Sequence, residues 1–102
     1  MLIMDGLRSL SITPNRESDD VDFTVQDTSS ATMKLSKKER IRVSNFFLKT
    51  GGFFKNGLTL MVTPASLRYV AVKIRHEDNE MDEQVVFLTK SQVKMVYNRL
   101  VS

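Results

Sequence analysis

This chain writes one pattern twice, and that repetition limits its fold more than any single residue does. Asp5-Gly6-Leu7 is answered by Asn56-Gly57-Leu58, and Ile12-Thr13-Pro14 by Val62-Thr63-Pro64. Leu35-Ser36-Lys37 is followed by Glu39, Val43, Asn45 and Phe47. Leu88-Thr89-Lys90 is followed in the same way by Gln92, Val96, Asn98 and Leu100. The landmarks keep their order about fifty residues apart, as in a duplicated supersecondary unit. A unit of about fifty residues buries too little surface to stand alone comfortably. The 102 residues are therefore expected to form a single domain of two repeats, about 1–50 and 51–102, sharing one core as a pseudo-dimer. A site on such a body is expected to straddle both halves.

Each repeat reads β-β-β-β-α, which gives an α+β class. Asp5-Gly6 and Asn56-Gly57 are favoured two-residue hairpin turns, because both central residues must reach positive φ. Leu58, Leu60 and Val62 alternate with Thr59, Met61 and Thr63, the pattern of a strand with one buried face. Gly6 lies one residue further from its Thr-Pro than Gly57 does, and a bulge near Arg8-Ser9 would absorb the difference. Pro14 and Pro64 end these strands because proline cannot donate to a ladder. Strands then follow over Val21 to Gln26 and Tyr69 to Arg75, with loops over Asp27 to Ser30 and Glu77 to Asp82. The last strands run from Ala31 to Leu35 and from Glu83 to Leu88. Ser36-x-x-Glu39 and Thr89-x-x-Gln92 are capping boxes that open the two helices. Val93, Val96, Tyr97 and Leu100 fall on one helical stripe. The first helix offers Val43, Phe46 and Phe47, and Gly51-Gly52 is expected to stop it. Arg40 aligns with Val93, so its stem is expected against apolar surface with its head in water.

Composition narrows the function classes. The chain is 41% hydrophobic and 26% charged, with no cysteine, so disulfides and thiolate metal sites are excluded. Its start lacks the basic and apolar regions of a signal peptide, and no stretch approaches a membrane span. These features predict a cytoplasmic or nucleoid-associated location, or a host cell if the chain is a phage or viral product. Net charge is only +3. The acids, however, gather at Glu17-Ser18-Asp19-Asp20 with Asp22, and at Glu77-Asp78 with Glu80, Asp82 and Glu83, which leaves the remaining surface basic. Neither acidic run has the spacing of a calcium loop, and both read as solvated hairpin tips. His76 has no catalytic partner identifiable by spacing, and Gly51-Gly52 lacks the lysine and serine of a phosphate loop. No catalytic constellation is present, so the chain is read as a non-enzyme without cofactor or metal.

In the second half, Leu67-Arg68-Tyr69-Val70-Ala71-Val72-Lys73-Ile74-Arg75 is a basic, alternating strand. Val86-Phe87-Leu88-Thr89-Lys90-Ser91-Gln92 runs an apolar strand end into a capped helix. These segments resemble the positive cofactor four family of transcriptional coactivators, and the tandem β-β-β-β-α order resembles the Whirly fold. The motif resemblance covers residues 67 to 100. It implies binding of single-stranded DNA and a role as a strand-protecting or transcription- or replication-associated accessory. The first half departs from the basic pattern, with Asp22, Thr24 and Gln26 standing where Ala71, Lys73 and Arg75 stand.

If Val70, Val72 and Ile74 face the helices, then Tyr69, Ala71, Lys73 and Arg75 face away. Phe87, Val85, Thr59 and Met61 join them from neighbouring strands. Two helices cover one face of a sheet, so this face stays open. Rings offer stacking surface to bases, and Lys and Arg meet phosphates. The candidate nucleic-acid-binding residues are thus Tyr69, Lys73, Arg75 and Phe87, extended by Arg8, Lys34, Arg68 and Lys55. The expected partner is single-stranded DNA or RNA, and exposed sheet edges permit a homodimer. Lys37, Lys38, Arg40 and Arg42 read instead as a solvated helix face. The alternative reading is a protein-interaction module, such as a phage or viral regulator of a host protein, displaying Phe53, Phe54 or Phe87.

Overall fold

Alternating apolar residues and two proline stops build the same meander in both halves. In this computed structural model the backbone is described for all 102 residues and the side chains for all but Glu80. The first unit comprises β1 (Leu2–Asp5), β2 (Arg8–Pro14), β3 (Val21–Gln26), β4 (Ser30–Leu35) and α1 (Lys37–Ser44). The second comprises β5 (Gly51–Lys55), β6 (Leu58–Pro64), β7 (Tyr69–His76), β8 (Asn79–Thr89) and α2 (Lys90–Val101). Each set of four strands forms an antiparallel sheet in chain order. The registers coincide: Pro14 faces Val21 and Val21 faces Leu35, as Pro64 faces Val70 and Val70 faces Leu88. The fold is α+β with a two-fold, repeat-like arrangement.

Both capping boxes are formed. Ser36 Oγ accepts the Glu39 amide hydrogen while Glu39 Oε1 accepts that of Ser36, and Thr89 and Gln92 do the same at α2. A hydroxyl and an acid or amide three residues on thus satisfy two otherwise orphan donors at each helix start. Buried faces of both sheets and both helices merge into one apolar cluster. Leu10, Ile12 and Phe23 from the first half meet Leu60, Ile74 and Leu88 from the second, under Val43, Val96 and Leu100 of the helices. The shared core follows from size, since neither half has a second layer of its own thick enough to bury its sheet.

Several local expectations are corrected. No bulge interrupts β1 and β2: Asp5 faces Arg8 and Leu2 faces Ser11 in unbroken register. The first turn instead consists of Gly6 and Leu7, with only Gly6 at positive φ (+60°), whereas Asn56 and Gly57 are both positive. Moving the turn by one residue absorbs the extra residue without disturbing the ladder. The irregularity falls instead between Arg75 and His76. There β8 begins at Asn79, so the loop expected over Glu77 to Asp82 shrinks to two residues.

Gly51 and Gly52 do not end the helix. A 3-10 turn over Asn45–Phe47 does so, and both glycines lie in β5. A Cβ at Gly51 would stand 2.5 Å from Phe46 Cδ1, so glycine is needed there for close approach of the ring. Arg40 is also deeper than expected. Its head is buried between the helices and donates from Nη1 to the Ser102 carbonyl at 3.3 Å, because α1 packs on α2 over this position. Met33 is buried and Met95 is exposed. Among the described residues no helix is long and apolar enough to cross a membrane.

Candidate nucleic-acid interface

The face of the second sheet turned away from the helices is built by strict alternation along β6, β7 and β8. Val70, Val72 and Ile74 pack into the core, which turns Tyr69, Lys73 and Arg75 outward. Register sets the side chains in rows. Phe54, Thr59, Arg75 and Glu83 form one, and Gly52, Met61, Lys73 and Val85 the next. Thr63, Ala71 and Phe87 form a third, with Tyr69 beside Thr89 beyond it. Ala71 is only 2% exposed although it faces away from the core. It is a methyl group at the foot of larger neighbours, Phe87 beside it and Tyr69 and Lys73 along the strand. Tyr69 is 45% exposed, and Lys73 and Arg75 are half-buried.

The loop before β7 is tied by one side chain. Ser66 Oγ accepts the amide hydrogens of Arg68 and Tyr69 at 3.3 and 3.2 Å. This local turn holds Tyr69 at the sheet end and leaves the Arg68 side chain exposed beside it. Lys73 Nζ stands 3.9 Å from Glu83 Oε1, a long and partly solvated pairing that contributes little net stability. Among the described residues, Arg75 and Arg68 have no carboxylate within 4 Å.

The first unit completes this face at one end. Its β1–β2 tip lies against β8, where Asp5 Oδ2 accepts the Phe87 amide hydrogen at 3.3 Å. Arg8 places its Cζ 5.4 Å from the centre of the Phe87 ring while its Nε holds Asp27 Oδ1 at 3.3 Å. Asp5, Arg8, Ala65, Ser66, Tyr69 and Phe87 line an open cleft of about 350 Å3 between the units. The structure thus brings together Arg8, Tyr69 and Phe87, sets Lys73 and Arg75 in the adjoining rows, and puts Arg68 on the flanking loop.

Lys34 and Lys55 lie elsewhere. Lys34 sits opposite Asp22 on the outer face of the first sheet, among Ser11, Thr24 and Thr32. Lys55 donates to the Lys34 carbonyl and to Glu39 Oε1, both at 2.7 Å, so its ammonium is spent on joining the units. That Lys55 ammonium foremost, and then the Ser36 amide, hold the Glu39 carboxyl below its ordinary pKa.

No family model matches this chain, and no curated relative matches it either. The site's own geometry therefore carries the functional argument. Sequence reasoning passed over Asp5 and Ser66 as members of the site. Ser66 had a local signal, a hydroxyl two and three residues before Arg68 and Tyr69 in a turn. Asp5 had none, because it reaches the cleft only through packing of one unit on the other. His76 stands 3.4 Å from Asp82 on the exposed hairpin end. Among the described residues no cluster of three or more potential ligands for a metal occurs.

Proposed function

We propose that this protein binds single-stranded nucleic acid along the outer face of its second sheet, in an accessory rather than an enzymatic role. The observation that carries the reading is the gathering of Tyr69, Phe87 and Arg8 around one open cleft, with Lys73 and Arg75 in the next rows of the same face. Exposed rings give bases a stacking surface worth about 1–3 kcal/mol each, and that surface is tolerant of sequence. Cations four and six residues further along β7, Lys73 and Arg75, supply phosphate contacts. From Tyr69 to Arg75 the strand rises about 20 Å, room for several nucleotides. The resemblance of residues 67–100 to the positive cofactor four family agrees with this reading.

Salt dependence tests it. Three engaged cations, Arg68, Lys73 and Arg75, imply a slope of log K against log salt of about −2 for a single strand. Fluorescence anisotropy with single-stranded DNA, duplex DNA and RNA at a series of salt concentrations measures that slope. Absence of single-strand binding, or binding insensitive to salt, rejects the proposal. A protein-interaction role is the competing reading, favoured by Phe54, which is 57% exposed at the rim of the face. An apolar protein interface would respond far less to salt.

A further inference from the structure

We propose that the cleft between the two units is a base-reading pocket that prefers guanine to thymine. This inference rests on the single-strand reading above and adds a chemical preference to it. The cleft's floor and sides are apolar or aromatic, with Phe87, Tyr69 and Ala65 among them. Three polar groups converge on it, each anchored within the fold and each with capacity to spare. Asp5 Oδ2 accepts the Phe87 amide hydrogen, and among the described residues Oδ1 has no donor. Arg8 is held through Nε by Asp27, which leaves both terminal nitrogens without a partner among the described residues. Ser66 Oγ accepts two backbone hydrogens, and among the described residues its own hydroxyl proton has no acceptor.

Asp5 and Arg8 face each other across the turn in register, yet they form no ion pair with each other. They present an acceptor and a donor edge side by side. A carboxylate in the cleft repels phosphate, so the backbone of a bound strand keeps to Arg68, Lys73 and Arg75, and a base turns inward. The base stacks on the Tyr69 ring or on the Arg8 guanidinium plane. Guanine offers adjacent ring N–H and amino N–H donors to a carboxylate, while its O6 and N7 are the favoured acceptors for arginine. Thymine presents a single N–H between two carbonyl oxygens, so a carboxylate that takes its proton also meets oxygen. Cytosine, with one amino group, falls between the two.

The pocket occurs once, although the units repeat. At the related interface Lys55 stands for Asp5, Leu58 for Arg8, Asp20 for Tyr69 and Lys34 for Phe87. None of these four positions carries a ring, and the Lys55 ammonium is already occupied.

The test compares three twelve-residue oligonucleotides with the whole protein by anisotropy: all-thymidine, alternating thymidine–guanosine and alternating thymidine–cytidine. About half the registers of the guanosine strand place guanine in the cleft, and one good base contact supplies about tenfold. The guanosine strand is therefore expected to bind about fivefold tighter than all-thymidine, with the cytidine strand between. Asp5→Asn keeps an oxygen for the Phe87 amide but loses the purely accepting edge, and the preference should fall toward onefold. Amide shifts of Ser66, Tyr69 and Phe87 on titration with guanosine 5′-monophosphate, absent with thymidine 5′-monophosphate, report the cleft separately from the cationic track. Equal affinity for the three strands overturns the pocket and leaves the single-strand reading standing. No binding of any strand overturns both, and an undiminished guanosine preference in Asp5→Asn overturns the role of Asp5.

Discussion

The carboxylate of Asp5 caps the backbone N–H of Phe87 across 82 residues of chain. The register-equivalent pair at the other interface is Lys55 and Lys34, where an ammonium takes a backbone carbonyl at 2.7 Å. In both cases the last residue of a unit's first strand grips the exposed edge of the partner unit's fourth strand. The partners are of opposite sign because one edge offers a donor and the other an acceptor. These contacts cover strand edges that would otherwise invite pairing with another chain. They also bring a hairpin tip of the first unit to the aromatic end of the second sheet. The architecture is thus symmetric in backbone and asymmetric in chemistry, and the Asp5–Phe87 side carries the aromatic cleft to which the base-reading proposal applies.

Tyr69 projects from the end of β7 and is 45% exposed. Tyr69→Ala is expected to weaken single-strand binding by about 1–3 kcal/mol, the cost of one stacked base. Its melting temperature should stay within a degree or two of the parent protein. Anisotropy and thermal melting measured together check this. A large fall in melting temperature with unchanged binding would make the ring a packing group.

On the proposed reading Lys73 and Arg75 are phosphate partners, and neither belongs to the buried apolar cluster. Lys73→Ala combined with Arg75→Ala should reduce the salt slope from about −2 to about −0.7, two fewer phosphates being neutralised. Circular dichroism should be unchanged. A slope that stays at its original value would place the phosphates elsewhere.

Glu39 serves both the α1 capping box and the Lys55 contact between units. Its pKa is lowered in the folded state, so at low pH the unfolded chain binds more protons. The stabilisation is complete above the ordinary glutamate pKa, about 4.3. It is lost as pH falls through the lowered folded value. Glu39→Gln keeps an amide oxygen for Ser36 but gives up the ion pair. It should cost less than about 1 kcal/mol at neutral pH. Its denaturation midpoint should then fall less than that of the parent protein between pH 6 and pH 3, as urea titrations at several pH values would reveal.

Phe46 occupies the space a side chain at Gly51 would need. Gly51→Ala is expected to destabilise by about 1–3 kcal/mol, as overpacking does. Gly52→Ala, whose Cβ would meet its nearest atom at 3.4 Å, should cost less. Urea unfolding of both variants gives the comparison.

Strand order, helix starts and inward faces were legible in the residues because they depend on short-range rules. Alternation assigned Val70, Val72 and Ile74 to the core and so turned Tyr69, Lys73 and Arg75 outward. The two hydroxyl-x-x-acid or amide boxes marked Ser36 and Thr89 as caps. The hairpin detail was less legible. Gly6-Leu7 and Asp5-Gly6 are both acceptable turns, and the ladder chose the one that sets buried Ile3 beside buried Leu10. Likewise, Gly51-Gly52 looks like a helix stop until the Phe46 ring is seen against it.

By itself the amino-acid order determined that two sister units exist, that each is a four-stranded meander closed by a capped helix, and that one of them is basic and aromatic on its outer face. These properties follow from periodicities of two and 3.6 residues and from caps that act over three. Only the tertiary structure decided which tip meets which edge. It brought Asp5 and Arg8 to Phe87, drew Lys55 away to Glu39 and Lys34, and buried the head of Arg40 between the helices. Such pairings depend on how two units orient over a shared core, and no local pattern encodes that orientation.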